Sequence, residues 1–296
     1  MKRYLGTMLL LIVAIIWGTG FVASALALDN YTPFQILALR FSLAFVILLG
    51  MNLNKLSQLT WQKMRKGGWM GVTLFLAFAF QTIGLQYTTT SKNAFLTATN
   101  IVIIPFLTWF VLKRTLYWNA IIGASITLGG IGLLSLDGAV SGLNFGDVLT
   151  LICAVLFALQ IFLTEYYAEE LATWEIMLLQ MGTAALLSWA MVLFEGEAQL
   201  NLSISAISPV MYLGLFSTLV AFGLQTYAQK FTTSNQASLI LSTEAFFGMV
   251  AAVIILKEAL TINLLIGAAL IFCGILMVEL NPSKLFNNMK KLEKEL

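Results

Sequence analysis

Apolar stretches of about 20 residues alternate with short polar breaks along the whole chain. Each stretch is long enough to cross a bilayer as an α-helix, and its backbone polar groups must pair within the helix because lipid offers them no partner. Turn-forming and charged residues mark the breaks, as in LDNYTP and LDGAVSGLNFGD. The pattern predicts ten membrane-spanning helices, over residues 5–28, 33–50, 67–86, 93–112, 118–136, 145–164, 174–194, 208–228, 235–256 and 261–280.

The composition agrees with this pattern and excludes several classes of protein. Of the 296 residues, 59% are hydrophobic and only 10% are charged, which is too little polar surface for a soluble domain of this length. We therefore predict an all-α polytopic membrane protein in contact with membrane lipids. The chain has no histidine, and Cys153 and Cys273 both lie in predicted spans, which argues against a metal cluster or a disulfide framework. We expect no cofactor and no bound metal.

The distribution of basic residues predicts the orientation in the membrane, because cytoplasmic segments are enriched in Lys and Arg. With the N-terminus inside, Lys92 and Lys257 fall in outer segments, Arg40 lies near or within a span, and the rest of the 16 Lys and Arg residues fall in inner segments. We expect both termini to be cytoplasmic, in a multi-pass protein of the plasma (inner) membrane. Basic residues at this surface do not favour a nucleic-acid partner, and no residue pattern specifies an oligomeric state.

The second half of the chain repeats the first. At an offset of 144, the segment QTIGLQYTTTSKNAFLTATN (81–100) aligns without a gap with QTYAQKFTTSNQASLILSTE (225–244). We divide the chain into a five-helix repeat over 1–138, a second over 139–281 and a basic cytoplasmic tail over 282–296. Since five is odd, the second repeat starts on the opposite side of the membrane, so the ten transmembrane helices form two inverted repeats. Inverted repeats place a binding site near the bilayer midplane, between the two halves.

Four motifs in this order resemble one family. They are WGTGF at 17–21, LALRF at 37–41, TTTSKNAFL at 88–96 and LSTEAFFGMVAAVIILKEALT at 241–261. Together they are similar to EamA-type ten-span proteins of the drug/metabolite transporter superfamily, over nearly the whole chain. The resemblance implies two EamA-like repeats and the movement of amino acids, related metabolites or toxic compounds, often outward. One departure is visible, since Arg114 stands where the second repeat has Glu258.

Polar and aromatic residues recur at helical spacing on six predicted spans. Our candidates for the substrate pathway are Trp17, Phe78, Gln81, Asn93, Thr97, Asn100, Phe157, Gln160, Phe222, Gln225 and Glu244. Aromatic rings offer apolar or cation–π contact to a small amphipathic solute, and amides fix its orientation. The other interpretation is that these amides and hydroxyls only hold helices together.

Charged and helix-breaking residues inside spans need a separate account, because charge within a membrane is costly. Glu244 is the counterpart of Asn100 at the repeat offset, and it is a candidate for proton coupling, for contact with a cationic solute or for a structural bond. Arg40 is expected either to pair structurally with a carboxylate or helix end or to contact the solute. Pro105 is predicted to interrupt the fourth span, because proline cannot donate a backbone hydrogen bond.

These observations favour one function over its alternatives. We predict a secondary transporter that moves a small metabolite, such as an amino acid or a related amphipathic solute, by alternating access, with export as the expected direction. A drug or toxic-compound efflux carrier is the alternative, and a non-transporting scaffold or receptor is less well supported. No G-x-x-x-x-G-K-[ST] loop is present for nucleotide binding. An enzyme is not expected, because the spans offer no nucleophile, base and metal constellation.

Overall fold

The computed structural model describes residues 2–113, 115–116, 118–135, 143–196 and 199–279, and within these ranges it contains helices and no strands. The predicted basic tail at 282–296 lies outside the described residues. The α-helices are α1 Lys2–Leu28, α2 Pro33–Asn52, α3 Trp61–Leu85, α4 Thr90–Ala98, α5 Asn100–Leu112, α6 Trp118–Ser135, α7 Phe145–Tyr167, α8 Thr173–Glu195, α9 Ile204–Tyr212, α10 Ala221–Ala228, α11 Ser234–Leu241, α12 Glu244–Ala251 and α13 Ile262–Glu279.

Eight helical segments in the described part of the chain are long and apolar enough to cross a membrane. They are Tyr4–Leu28, Pro33–Gln58, Trp61–Leu85, Thr90–Leu112, Phe145–Tyr167, Thr173–Glu195, Ile204–Ala228 and Gln236–Leu256. Two shorter apolar helices, Trp118–Leu133 and Ile262–Met277, occupy the positions of the predicted fifth and tenth spans. The protein is therefore all-helical in its described residues and is a polytopic membrane protein.

Local sequence explains where several helices begin. Thr32 caps α2 through a reciprocal pair of hydrogen bonds with Gln35, and Pro33 occupies the first turn, where its missing N–H has no cost. Asn144 and Asp147 make the same reciprocal arrangement at the start of α7. The cap residues Thr89 and Thr233 each accept a backbone N–H three residues later, at the starts of α4 and α11.

The fourth and ninth spans are each divided by a short turn. The fourth changes from α4 to α5 at Thr99, and the ninth changes from α11 to α12 at Ser242 and Thr243. The backbone N–H groups of Thr99 and Thr243 bond to carbonyls three residues back, as in a 3₁₀-helix. The fourth span is thus interrupted at Thr99, whereas Pro105 lies within α5, so the prediction of an interruption at Pro105 was wrong.

Two spans contain π-helical backbone, in which hydrogen bonds reach one residue further than in an α-helix. Residues Leu213–Val220 lie between α9 and α10, and residues Ala252–Leu256 follow α12. A π-helix changes the angular spacing of its side chains, so residues that would diverge on an α-helix can face the same neighbour.

The helices share several apolar cores rather than one. Buried side chains of α2, α3, α7 and α8 form one core, which also includes Phe222 of α10. A second core joins α4, α5, α12 and α13, with α6 packed along α13. A third lies between α1, α5, α7, α10 and α11. Each of these three cores contains side chains from both halves of the chain.

Some local structures recur at the offset of 144 residues. Lys113 and Lys257 both end a helical segment in the left-handed backbone conformation, with φ of 54° and 59°. The Thr99 and Thr243 hydroxyls donate to the carbonyl oxygens of Leu96 and Ile240, each at 2.6 Å. Equal sequence at these positions thus produces equal local geometry.

Candidate functional site

A cavity with a volume of about 40 Å³ lies where helices from both halves meet. The first half contributes Trp17, Gly20, Phe21, Ser24, Arg40, Phe78, Gln81 and Asn100 to its lining, and the second half contributes Phe157, Gln160, Ile161, Ser217, Phe222, Leu241 and Glu244. Its wall combines aromatic rings, amides, hydroxyls, one guanidinium and one carboxylate. This is the composition expected of a pocket for a small organic molecule with polar ends.

Four aromatic side chains from four helices form the apolar wall. The rings of Phe78 and Phe157 meet edge to face, with centroids 5.0 Å apart. The Phe222 ring lies 5.9 Å from Phe78 and 4.8 Å from Trp17. The Trp17 indole donates its N–H to the Ser217 carbonyl oxygen at 2.9 Å, which fixes the ring against the second half. The wall is therefore held in place before any solute enters.

Arg40 of α2 is buried, with 1% of its surface exposed, and its guanidinium reaches the cavity. Its Nε donates to Thr218 Oγ1 at 2.8 Å, and one Nη donates to Ser217 Oγ at 3.2 Å. The guanidinium also lies over the Phe78 ring, 4.2 Å from the centroid. No carboxylate among the described residues forms an ion pair with Arg40. Its contacts are therefore neutral, and its positive charge is not balanced by a described anion.

Glu244 stands at the first position of α12, directly after the turn that divides the ninth span. Its side chain is 6% exposed, lines the cavity, and makes no hydrogen bond or ion pair with any described residue. The backbone here packs closely against α1. A Cβ added at Gly18 would lie 2.8 Å from the Glu244 carbonyl oxygen and 2.6 Å from Phe247 Cβ. Gly18 thus allows α1 to hold the first turn of α12 beside the cavity.

Two amide side chains that line the cavity have a carbonyl oxygen without a hydrogen-bond donor among the described residues. Asn100 Oδ1 and Gln160 Oε1 are buried atoms without a partner among the described residues. Gln81 donates through Nε2 to Thr97 Oγ1 at 3.2 Å. A buried polar atom without a hydrogen bond costs free energy, so the two free carbonyl oxygens favour a ligand or water that donates to them.

The structure brings together most of the side chains predicted from the sequence. Trp17, Arg40, Phe78, Gln81, Asn100, Phe157, Gln160, Phe222 and Glu244 all line the cavity. Three other candidates do not line it. Asn93 donates to Thr150 Oγ1 at 2.8 Å, Thr97 accepts from Gln81, and Gln225 is fully buried with neither side-chain polar atom hydrogen-bonded within the described structure. Asn93 and Thr97 thus connect helices behind the cavity wall.

Helical spacing failed to find Ser217, which is the cavity residue that contacts both Trp17 and Arg40. Spacing of three and four residues places Thr218 on the face of Phe222, and on a regular α-helix Ser217 lies about 100° away. Within the π-helical segment Leu213–Val220, both hydroxyls accept a hydrogen bond from the Arg40 guanidinium. The sequence carries no simple signal for this change of register.

The lining of the cavity offers several kinds of group that can bind a small molecule. No group of three or more Cys, Asp or Glu side chains within the described ranges is arranged to hold a metal ion. Arg40 and Glu244 provide opposite charges, the aromatic rings provide an apolar middle, and the amide oxygens accept hydrogen bonds. This combination can hold and orient a small amphipathic molecule.

Comparisons with known proteins identify relatives over most of the length of the chain. Residues 4–136 and, separately, residues 144–280 match the EamA-like transporter family. An uncharacterized transporter of Archaeoglobus fulgidus is 31% identical over 284 residues, which cover 94% of this chain and 87% of the relative. The uncharacterized transporter YoaV of Bacillus subtilis is 23% identical over 279 residues, with coverage of 90% and 93%. One solved crystal structure superposes with a TM-score of 0.72 at 21% identity, over 95% of this chain and 98% of the other, and so has the same fold.

Proposed function

The chain belongs to the EamA-like transporter family and is a membrane transporter, and we propose that it is a secondary transporter that works by alternating access. The observation that carries this proposal is the cavity, whose lining is shared between the two halves of the chain. A site held between two halves becomes accessible from either side when one half rocks against the other.

The arrangement in the membrane is part of the proposal. We propose ten spans in two inverted repeats, over 1–138 and 139–281, in the plasma membrane with both termini in the cytoplasm. The family match to each half supports two repeats, and so does the recurrence of the Thr99 and Lys113 geometry at Thr243 and Lys257. The excess of Lys and Arg in alternate connecting segments supports the orientation.

The solute fits the lining of the cavity. We propose a small amphipathic metabolite, such as an amino acid, moved outward. Its apolar part would contact the aromatic wall of Trp17, Phe78, Phe157 and Phe222, while Asn100 and Gln160 would accept its hydrogen bonds. Glu244 is the candidate for proton coupling, because it is a buried carboxylate without a described partner.

Efflux of a drug or toxic compound is the second candidate function. The specific observation in its favour is that Glu244 and the aromatic wall share one cavity, since an organic cation can contact both. A solute without a carboxylate would leave Arg40 unpaired, and for that reason we place this function second.

A flux measurement tests the proposal directly. The purified protein is reconstituted in liposomes and screened for exchange of radiolabelled amino acids, amines and hydrophobic cations across the membrane. We expect saturable counterflow of at least one solute, without nucleotide, and its loss when Gln160 and Phe222 at the cavity are replaced by alanine. Absence of flux for every solute in protein that unfolds cooperatively would contradict a transport function. Flux that requires ATP would contradict a secondary mechanism.

A further inference from the structure

Two ionisable side chains of opposite sign line the cavity. Arg40 and Glu244 both line it and both are at least nine-tenths buried, yet no ion pair joins them within the described structure. A buried charge is costly unless it is paired and hydrogen-bonded. The cavity therefore favours a solute that carries an anionic group for Arg40 and a cationic group for Glu244.

The hydrogen bonds of Arg40 show which partner its side of the cavity accepts. A guanidinium has five N–H groups. One bonds to Thr218 and one to Ser217, and the other three have no acceptor among the described residues. The ring of Phe78 lies over the guanidinium plane, and the N–H groups without an acceptor are on the two Nη atoms at its edge. An edge with parallel N–H groups matches the two oxygens of a carboxylate.

Glu244 offers the same cavity the complementary chemistry. Its carboxylate only accepts hydrogen bonds when ionised, and two other cavity atoms without a partner among the described residues, Asn100 Oδ1 and Gln160 Oε1, are acceptors as well. Three acceptor groups without a described donor suit a group with several N–H donors and a positive charge. An ammonium group has both properties.

We infer that the cavity binds a zwitterionic solute, with its carboxylate on Arg40, its ammonium group near Glu244, Asn100 and Gln160, and its apolar part against the aromatic wall. This inference rests on the proposed function and makes it more specific. It assigns Arg40 as the residue that distinguishes an amino acid from the amine of the same shape, and Glu244 as the residue that distinguishes it from the corresponding acid.

Binding to the purified full-length protein in detergent tests this assignment without requiring transport. The probes are phenylalanine, its amine analogue phenethylamine and its acid analogue 3-phenylpropionate, together with leucine, 3-methylbutylamine and 4-methylpentanoate. Calorimetry and thermal stabilisation give the affinities. We expect at least one amino acid to bind at least about tenfold more tightly than both of its singly charged analogues, because each loses one charge-assisted contact.

Two variants separate the ends of the solute. Arg40→Gln is expected to lower the affinity for the amino acid and for the acid at least about tenfold. The affinity for the amine is expected to change by less than about twofold. Glu244→Gln is expected to lower the affinity for the amino acid and for the amine by a similar factor and to leave the affinity for the acid nearly unchanged. Arg65→Gln and Glu169→Gln, which alter exposed charges, are the matched controls and are expected to bind like the unmodified protein. If Arg40→Gln does not fold, Arg40→Lys replaces it and is expected to weaken the acid more than the amine.

Several results would overturn the inference. They are binding of an amine or an acid as tightly as its amino acid, unchanged amino acid affinity in both cavity variants, and no binding of either amino acid to protein that is folded. The expected binding pattern without any flux in liposomes would support the charge assignment and contradict the proposed transport function, so the two failures are distinguishable.

Discussion

The Lys92 ammonium lies 2.8 Å from Asp147 Oδ2, and both side chains are buried. Lys92 belongs to α4 in the first half of the chain and Asp147 to α7 in the second half, so this ion pair joins the two halves. Asp147 also accepts the Thr88 hydroxyl at 2.9 Å and completes the cap of α7. From the sequence, Lys92 was assigned to an outer segment, and the structure shows its charge buried in an interface.

Removal of one partner of this ion pair is expected to destabilise the protein. Asp147→Asn leaves the Lys92 charge buried without its anion, which costs about 3–5 kcal/mol by comparison with other buried pairs. Lys92→Met has the same consequence for Asp147, and combining it with Asp147→Leu is expected to recover part of the loss because no buried charge remains. The measurement is thermal unfolding in detergent. Equal stability of Asp147→Asn and the unmodified protein would show that the pair does not hold the halves together.

Close packing at Gly18 is expected to control both stability and transport. Gly18→Ala places a methyl group within 3 Å of the backbone and Phe247 of α12, and the overlap costs about 1–3 kcal/mol. The displaced helix carries Glu244, so solute binding is expected to weaken too. Gly50→Ala is the control, because a Cβ at Gly50 has no atom within 4 Å, and it is expected to keep or raise stability by about 0.5–1 kcal/mol. If both variants unfold at the same temperature, the contact is not tight.

A proton-coupling role for Glu244 predicts a specific change in pH dependence. Glu244→Gln keeps the shape of the side chain and removes its titratable group. We expect flux driven by a pH gradient to fall to the level of empty liposomes, while the variant unfolds at nearly the unmodified temperature. Glu169→Gln, which alters an exposed glutamate, is expected to retain the pH-driven flux. Normal pH-driven flux in Glu244→Gln would exclude Glu244 as the proton carrier.

Inversion of the two repeats predicts opposite labelling of equivalent positions. Gln86 and Lys230 are exposed and differ by the offset of 144, and so do Thr115 and Ala259. In a background with alanine at Cys153 and Cys273, we expect cysteine at Gln86 and Ala259 to react with a membrane-impermeant maleimide from outside. Cysteine at Lys230 and Thr115 is expected to react only from inside. Labelling of both members of a pair from the same side would refute the inverted arrangement.

Much of the candidate site could be predicted from one sequence. Helical spacing and the internal repeat selected eight of the side chains that line the cavity, and the cost of a charge within a membrane selected Arg40. Helical spacing failed at Ser217, which lies in the π-helical segment Leu213–Val220. The rule that proline interrupts a helix failed at Pro105, which lies within α5, while the span turns at Thr99.

The sequence alone determined that the chain is a bundle of long apolar helices, because lipid forces each backbone polar group to pair within its own helix and span length follows from bilayer thickness. It also determined that the two halves are alike, since equal residues such as Thr99 and Thr243 form equal local bonds. Only the tertiary structure decided which charges meet. Lys92 forms an ion pair with Asp147 across the interface between the two halves. Arg40 and Glu244 line one cavity, and neither has an ionic partner among the described residues. Charge pairing depends on distances between separate helices, and no periodicity within a helix encodes those distances.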